Sequence, residues 1–439
     1  MRNPIRAVLC TLAALALLAP RPAAAVELEA VSKAAAGYTV GDPKLQELYR
    51  SALLNTNKQI TVASDGTTYV KTGDIPAEWL RDASVQVRPY LFFAKDDPKV
   101  DGLLRGAIAR MGKYLHADPY ANAFTLDYRV WERKFELDSL AYPISLAWTY
   151  WKVTGDSTIF TGDLSLGFDS ALDTMEREQD HPRNSKYTFS KPEMPNGGKG
   201  NPVHYTGMIW TAFRPSDDAC TYNFLIPSEM MAVVALGQLE EIERNVYHNV
   251  LKAERAKALR QEVQNGIQTW GVIFRPDYGY IYAYEVDGYG NAIVTDDANV
   301  PSLLSAPYIG YGSSNSFVYR NTRKFLLSKD NPTYYVGKYA RGIGSQHTSD
   351  NMVWPIAMLM QGFTASSDAE RKDVLSQLIA SDPGDHLLHE SFNPNDPTKF
   401  TRADFGWPNA LFSEYVMTSF EGVPALPVGS TSDLQFSGD

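Results

Sequence analysis

Polar and aromatic residues return ahead of every second helix in this 439-residue chain. Apolar spacing places about twelve helices, near 44–58, 80–94, 101–115, 137–153, 168–178, 228–244, 249–270, 298–308, 317–328, 350–362, 367–380 and 406–419. Alternate members are led in by "TGDIPAEWLRDASVQVRP", "VWERKFELDSLAYP", "FRPSDDACTYNF", "TDDANVPSLL", "GIGSQHTSDNMVWP" and "HESFNPNDPTKFTRADFGWP". The helices between them, such as "LKAERAKALRQEVQ", are ordinary amphipathic ones with a charged face. Any one motif also reads as a helix cap, because the first N–H groups of a helix lack intrahelical partners. Six in phase point instead to a ring of helical hairpins whose inner helices aim their N-termini at one shared cavity. The expected fold is all-α, an (α/α)6 toroid of six helical hairpins. Short β-hairpin excursions are expected, as at "YGYIYAYEV" around 278–286. Ser228 is the expected N-cap of the sixth helix.

No linker rich in Ser, Pro or Gly divides the chain, so residues 26–439 are expected to form a single, mostly helical domain. Residues 1–25 read as a signal peptide. Arg2 and Arg6 precede an apolar run from Ala7 to Leu18, and Ala23–Ala25 offer small residues for cleavage. Export is therefore expected, to the periplasm or the medium, while the apolar run is shorter than the roughly 20 residues a membrane span needs. Cleavage would remove three arginines and no acids, leaving 38 basic against 51 acidic residues, a net charge of −13. Nucleic acid and anionic membrane both require a basic face, so neither is expected as a partner. Cys10 would leave with the signal, and Cys220 alone excludes an internal disulfide. Oligomeric state is open at this level.

The inner loops are rich in carboxylates: Asp74, Glu78, Asp82, Glu136, Asp138, Asp217, Asp218, Asp296, Asp297, Asp350, Glu390 and Asp404. Glycoside hydrolysis needs two such groups, one protonated towards the leaving oxygen and one ionised towards water or carbon. Adjacent Asp217 and Asp218 beside Arg214 suit this, since a neighbouring acid raises one carboxyl while an arginine lowers another. A metal site is the rival reading. "HLLHE" sets His386 and His389 three apart but is not H-E-x-x-H, and "DDAN" and "NPND" lack EF-hand spacing. No cofactor fingerprint is present, and neither a cofactor nor a metal is expected. The residues themselves support a neutral polar ligand in a ring lined with acids and aromatics.

The motifs "GDIPAEWLRDASVQVRPY", "FELDSLAYPI", "FRPSDDACTYNFLIPSEM", "DDANVPSLL", "GIGSQHTSDNMVWPI" and "LLHESFNPND" resemble glycoside hydrolase family 125. The resemblance runs in matching order from about Asp42 to Tyr415. It implies an (α/α)6 fold and an exo-acting, inverting, metal-independent α-1,6-mannosidase acting on mannose-containing oligosaccharides or glycans. It makes Asp217 or Asp218 the general acid, with Asp217 preferred and Asp218 left to cap or tune, and Glu390 the general base. Arg81 and Asp82 are then expected to clamp the terminal sugar, with His347 and Asp350 lining the same subsite. Trp79, Trp210 and Trp407 are candidate stacking platforms, and Arg214 a binding residue. Inversion implies about 6.5–9.5 Å between the two carboxyls. The alternatives are an inverting α-glucosidase or glucoamylase-like enzyme on the same fold, and a glycan-binding protein without catalysis.

Overall fold

The computed structural model describes residues 28–38, 42–190 and 194–434. The signal-peptide reading and Cys10 lie outside these residues. Helices dominate, and every sheet has two or three strands.

Outer and inner helices alternate along the chain. The outer set is Pro43–Asn55, Pro98–Ala117, Gly162–Glu178, Val250–Trp270, Phe317–Leu326 and Asp368–Ser381. The inner helices are the first, Leu80–Val87; the second, Leu137–Thr154; the third, Ile226–Asn245; the fifth, Pro355–Phe363; and the sixth, Gly406–Phe420. The first packs on the second, the second on the third, the fifth on the sixth, and the sixth back on the first. Every side chain of the first inner helix is buried, as are residues 406–417 of the sixth. The outer helices bury one stripe only. In Val250–Trp270 it runs through Ala253, Ala256, Leu259, Val263 and Ile267.

The fourth inner position is not a helix. Residues 298–311 fold as successive turns, correcting the helix expected at 298–308. Pro301 and Pro307 have no N–H to donate to a helical ladder, and the Asp296 carboxylate takes the N–H groups of Leu303 and Leu304 (2.9 and 3.0 Å). The segment still fills its place in the ring, because Tyr142 and Tyr319 donate to the carbonyls of Val300 and Leu304. Two inner-helix starts also differ from expectation, and the outer helices expected from 168 and 101 begin earlier, at Gly162 and Pro98. The third inner helix begins at Ile226, two residues early and with Pro227 in its first turn, leaving Ser228 buried inside it. The fifth begins at Pro355, because Val353 before it is bridged to Phe392. A helix at Glu29–Gly37, not expected from the sequence, packs on Pro43–Asn55.

Outer helices approach closely where glycines face each other. A Cβ at Gly167 would stand 2.4 Å from the carbonyl oxygen of Gly112, so Pro98–Ala117 and Gly162–Glu178 cross in backbone contact. The C-terminal segment runs across the toroid at the end opposite the inner N-termini. Arg260 holds Asp433 and the Ser430 carbonyl, and Thr149 donates to the Pro427 carbonyl. No helix among the described residues is long and apolar enough to cross a membrane.

Candidate active site

The β-excursions all serve one end of the ring. Strand Glu78–Trp79 pairs with Ala123–Phe124 and runs directly into the first inner helix. Phe224–Leu225 pairs with Glu285–Val286 and runs into the third. The hairpin Ser391–Asn393 and Asp396–Thr401 precedes the sixth. Side chains near these junctions converge on one cavity lined by acids, arginines and indoles.

Asp217 reaches the cavity from a tight turn. The Asp217 N–H donates to the Arg214 carbonyl (2.9 Å) across Pro215 and Ser216, Arg214 N–H donates to the Asp218 carbonyl (2.8 Å), and Phe213 bridges to Ala219. Asp217 takes the left-handed conformation, φ 69°. Aspartate tolerates that region better than most residues, at a cost of about 1–3 kcal/mol of the kind concentrated at functional sites. Its carboxylate accepts from Asn122 (3.3 Å) and lies 3.5 Å from Arg81 Nη2. Asp218 points elsewhere. It accepts from Ser216 Oγ (3.0 Å) and meets His347 Nδ1 at 3.4 Å, without lining the cavity.

Arg81, in the first turn of the first inner helix, sits among four acids. Nη1 donates to Glu136 Oε2 (2.6 Å) and Asp138 Oδ2 (3.0 Å), Nη2 faces Asp217, and Nε lies 3.5 Å from Asp82 Oδ2. Its guanidinium lines the cavity but is occupied by carboxyls, so its place is that of an organiser of acids more than a clamp on sugar hydroxyls. Burial raises Asp82 to about 6 despite Arg81 and Arg402. Burial holds Glu136 well above the usual carboxyl range, with the charges of Asp217 and Asp138 adding to it and Arg81 opposing. Burial pushes Asp217 upward too, but a hydrogen bond from Glu136 and the charges of Arg81, Lys134 and His347 outweigh it and hold Asp217 below its ordinary value. The hydrogen bond to Asp218 raises His347, against burial and with help from the Asp218, Asp217 and Glu390 charges.

Glu390 enters from the opposite loop, nearly buried, with Arg402 Nη1 3.7 Å from its Oε1. Arg402 is anchored on Asp74 Oδ1 (2.6 and 3.0 Å) and the Thr72 carbonyl (3.1 Å), and packs over Phe405. Gly73 makes that junction possible. It has φ 59°, and a Cβ there would lie 2.0 Å from the Asp404 carbonyl oxygen.

Of the residues singled out from sequence, Trp79, Arg81, Asp82, Asp217, His347, Glu390 and Trp407 line the cavity. Three do not. Arg214 is turned away, donating to Glu285 (2.6 Å) and Gln346 (2.8 Å), so it braces the turn and does not face Asp217. Asp350 is exposed on its loop. Trp210 is a core residue stacked on His181 at 3.6 Å. Thr72, Asn299, Trp354, Arg402 and Phe405 line the cavity without having been singled out. Trp354, Arg402 and Phe405 lie within or beside the aromatic-rich strings, which is the signal that could have found them. His386 and His389 do not converge: the first meets Asp382, and the second stacks on Phe400. Among the described residues no group of three or more His, Cys, Asp or Glu side chains is arranged to hold a metal ion.

A helical toroid with acids and indoles gathered at the N-terminal ends of its inner helices is the architecture of (α/α)6 glycosidases. Solved glucoamylases share the fold. A bacterial enzyme complexed with acarbose is 14% identical, with a TM-score of 0.60 over 85% of this chain and 55% of that one. The Hormoconis resinae glucoamylase is 11% identical, with a TM-score of 0.61 over 92% and 77%. Residues 42–417 match the metal-independent α-mannosidases, glycoside hydrolase family 125, and the chain belongs to that family. A Streptococcus pneumoniae metal-independent α-mannosidase, in a non-productive complex with α-1,6-mannobiose, is 40% identical. Its TM-score is 0.84 over 90% of this chain and 97% of that one. The meiotically up-regulated gene 157 protein of Schizosaccharomyces pombe is 38% identical over 397 residues, 82% of this chain and 78% of that protein.

Proposed function

We propose that this α-mannosidase is exo-acting and inverting, and removes non-reducing terminal α-1,6-linked mannose from glycans. The observation that carries the reading is that Asp217 and Glu390, held by unrelated loops, reach one small cavity bounded by Trp79 and Trp407. The α-1,6-mannobiose bound by the pneumococcal relative supports the linkage.

In this reading Asp217 gives a proton to the glycosidic oxygen as the C1–O bond breaks and its electron pair moves to that oxygen. Glu390 takes a proton from a water that attacks C1 from the other face, so α-linked mannose leaves as the β-anomer. The Arg402–Asp74 anchor fixes the loop of the base, and Trp79 and Trp407 offer flat faces to the pyranose. Proton NMR of the anomeric region during hydrolysis of α-1,6-mannobiose tests linkage, sugar and stereochemistry together. β-Mannose should appear first; α-mannose first would sink inversion. Faster release of glucose from isomaltose would favour the glucosidase reading instead. We also propose export, tested by N-terminal sequencing of the exported protein, which should begin at Val26.

A further inference from the structure

The geometry around Arg81 sets a problem of charge. One guanidinium is met by Glu136, Asp138, Asp82 and Asp217, all within 3.5 Å of its nitrogens. Four ionised acids around one buried cation would leave uncompensated buried charge, which costs several kcal/mol per ion. At least one of them therefore carries a proton. Glu136 is the member placed to hold it. Its Oε2 is satisfied by Arg81 at 2.6 Å and Ser139 Oγ at 3.0 Å. Its Oε1 is buried with no donor on it, and Arg81 brings its carboxyl beside that of Asp217 by holding the two on Nη1 and Nη2 of one guanidinium. A proton on that unpartnered oxygen would relieve its burial and lower the repulsion between the neighbouring carboxyls.

We propose that Glu136 and Asp217 hold one proton in common, and that Glu136 passes it to Asp217 as the glycosidic bond breaks. The inference rests on Asp217 as the general acid. It also removes a difficulty in that reading, because Asp217 with Arg81, Lys134 and His347 beside it is a poor holder of a proton by itself. The step balances. Before it, Glu136 is protonated and Asp217 ionised. The proton moves from Glu136 Oε1 to Asp217, and from Asp217 to the glycosidic oxygen. Afterwards both are ionised, with Glu136 left against Arg81, and solvent returns one proton for the next turnover. Glu136 touches no sugar in this scheme; it is a positioning residue. The other groups facing it are Arg81, Asp138, Lys134, Tyr187 and Cys220. Of these only Asp138 is an acid beside the same guanidinium.

The test compares two substrates across pH, α-1,6-mannobiose and 2,4-dinitrophenyl α-mannoside, whose leaving group needs no proton. In Glu136→Gln the amide donates to Asp217 permanently, and the dyad loses its second site. Mannobiose kcat/KM should fall by roughly 10²-fold, and the alkaline limb of its pH profile should move down by about one unit or more. The sign follows because Asp217 alone, among cations, loses its proton at lower pH than the pair does. The aryl mannoside should be spared most of the loss. Glu136→Asp, which keeps the charge on a shorter arm, should recover part of the activity and carries the test if the glutamine variant does not fold. Equal losses on both substrates with an unmoved limb would leave Glu136 a purely structural residue and overturn the proposal. If the wild type turned over neither mannoside, the α-1,6-mannosidase reading would fall with it.

Discussion

The two rings of helices begin in different ways. Five of the six outer helices are capped by a side chain: Asp42, Asp97, Thr161, Asn249 and Ser367 each accept from an N–H in the first turn. None of the five inner helices is. Their N-cap residues are Trp79, Glu136, Leu225, Trp354 and Phe405, and none makes a side-chain capping bond. Short strands fix the backbone direction into several of them, and polar side chains in their first turns are free for other work. Capping residues secure the scaffold; their absence inside leaves Arg81, Asp82 and Glu136 to meet one another at the cavity end of the ring. A polar residue at a helix start therefore has opposite meanings in the two rings.

Substitutions can break or sharpen this contrast. The largest effects belong to Asp217→Asn and Glu390→Gln. Each should lower kcat/KM on mannobiose by roughly 10³-fold with the melting temperature little changed; a comparable loss of stability would mean that these acids are scaffold after all. Arg81→Met should cross the divide, losing both activity and roughly 3–5 kcal/mol of stability in urea titrations because its acids are left buried and unpaired. Gly167→Ala should cost about 1–3 kcal/mol by forcing two outer helices apart, while kcat stays within about twofold because the contact is remote from the cavity. Smallest of all, Asn249→Ala should cost about 1 kcal/mol and leave kinetics untouched. A changed kcat in Asn249→Ala would show that outer capping reaches the site.

Much of this was legible from sequence, and for a definite reason. Outer helices write their 3.6-residue stripe plainly, and the lead-in loops carry acids and aromatics that an amphipathic helix start does not need. The phase of those loops therefore exposed the ring before any coordinates. Sequence gave no way to see which charges cancel. Arg214 and Arg81 look alike beside their acids, yet one turns to Glu285 and the other gathers four carboxyls. Asp217 and Asp218 are separated only by the left-handed turn at position 217, a backbone property that adjacent identical residues cannot announce. The fourth inner position misled because its apolar spacing is helical while its prolines and Asp296 direct the N–H groups elsewhere.

Trp407 belongs to two cavities. It lines the acid-bearing one and also a second of about 480 Å³ deeper in the ring, among Val85, Tyr142, Met231 and Leu411. The indole thus divides the bore of the toroid, and Val428 of the C-terminal segment lines the deeper chamber. If Trp407 closes the upper chamber from below, substrate enters and product leaves by the same mouth. In the proposed exo-acting reading, a mannose cut from the tip of a glycan lies beneath the chain it came from, so the shortened glycan departs first and the monosaccharide last. An enzyme of that kind lets go of its substrate after every bond and trims a branched glycan by repeated visits.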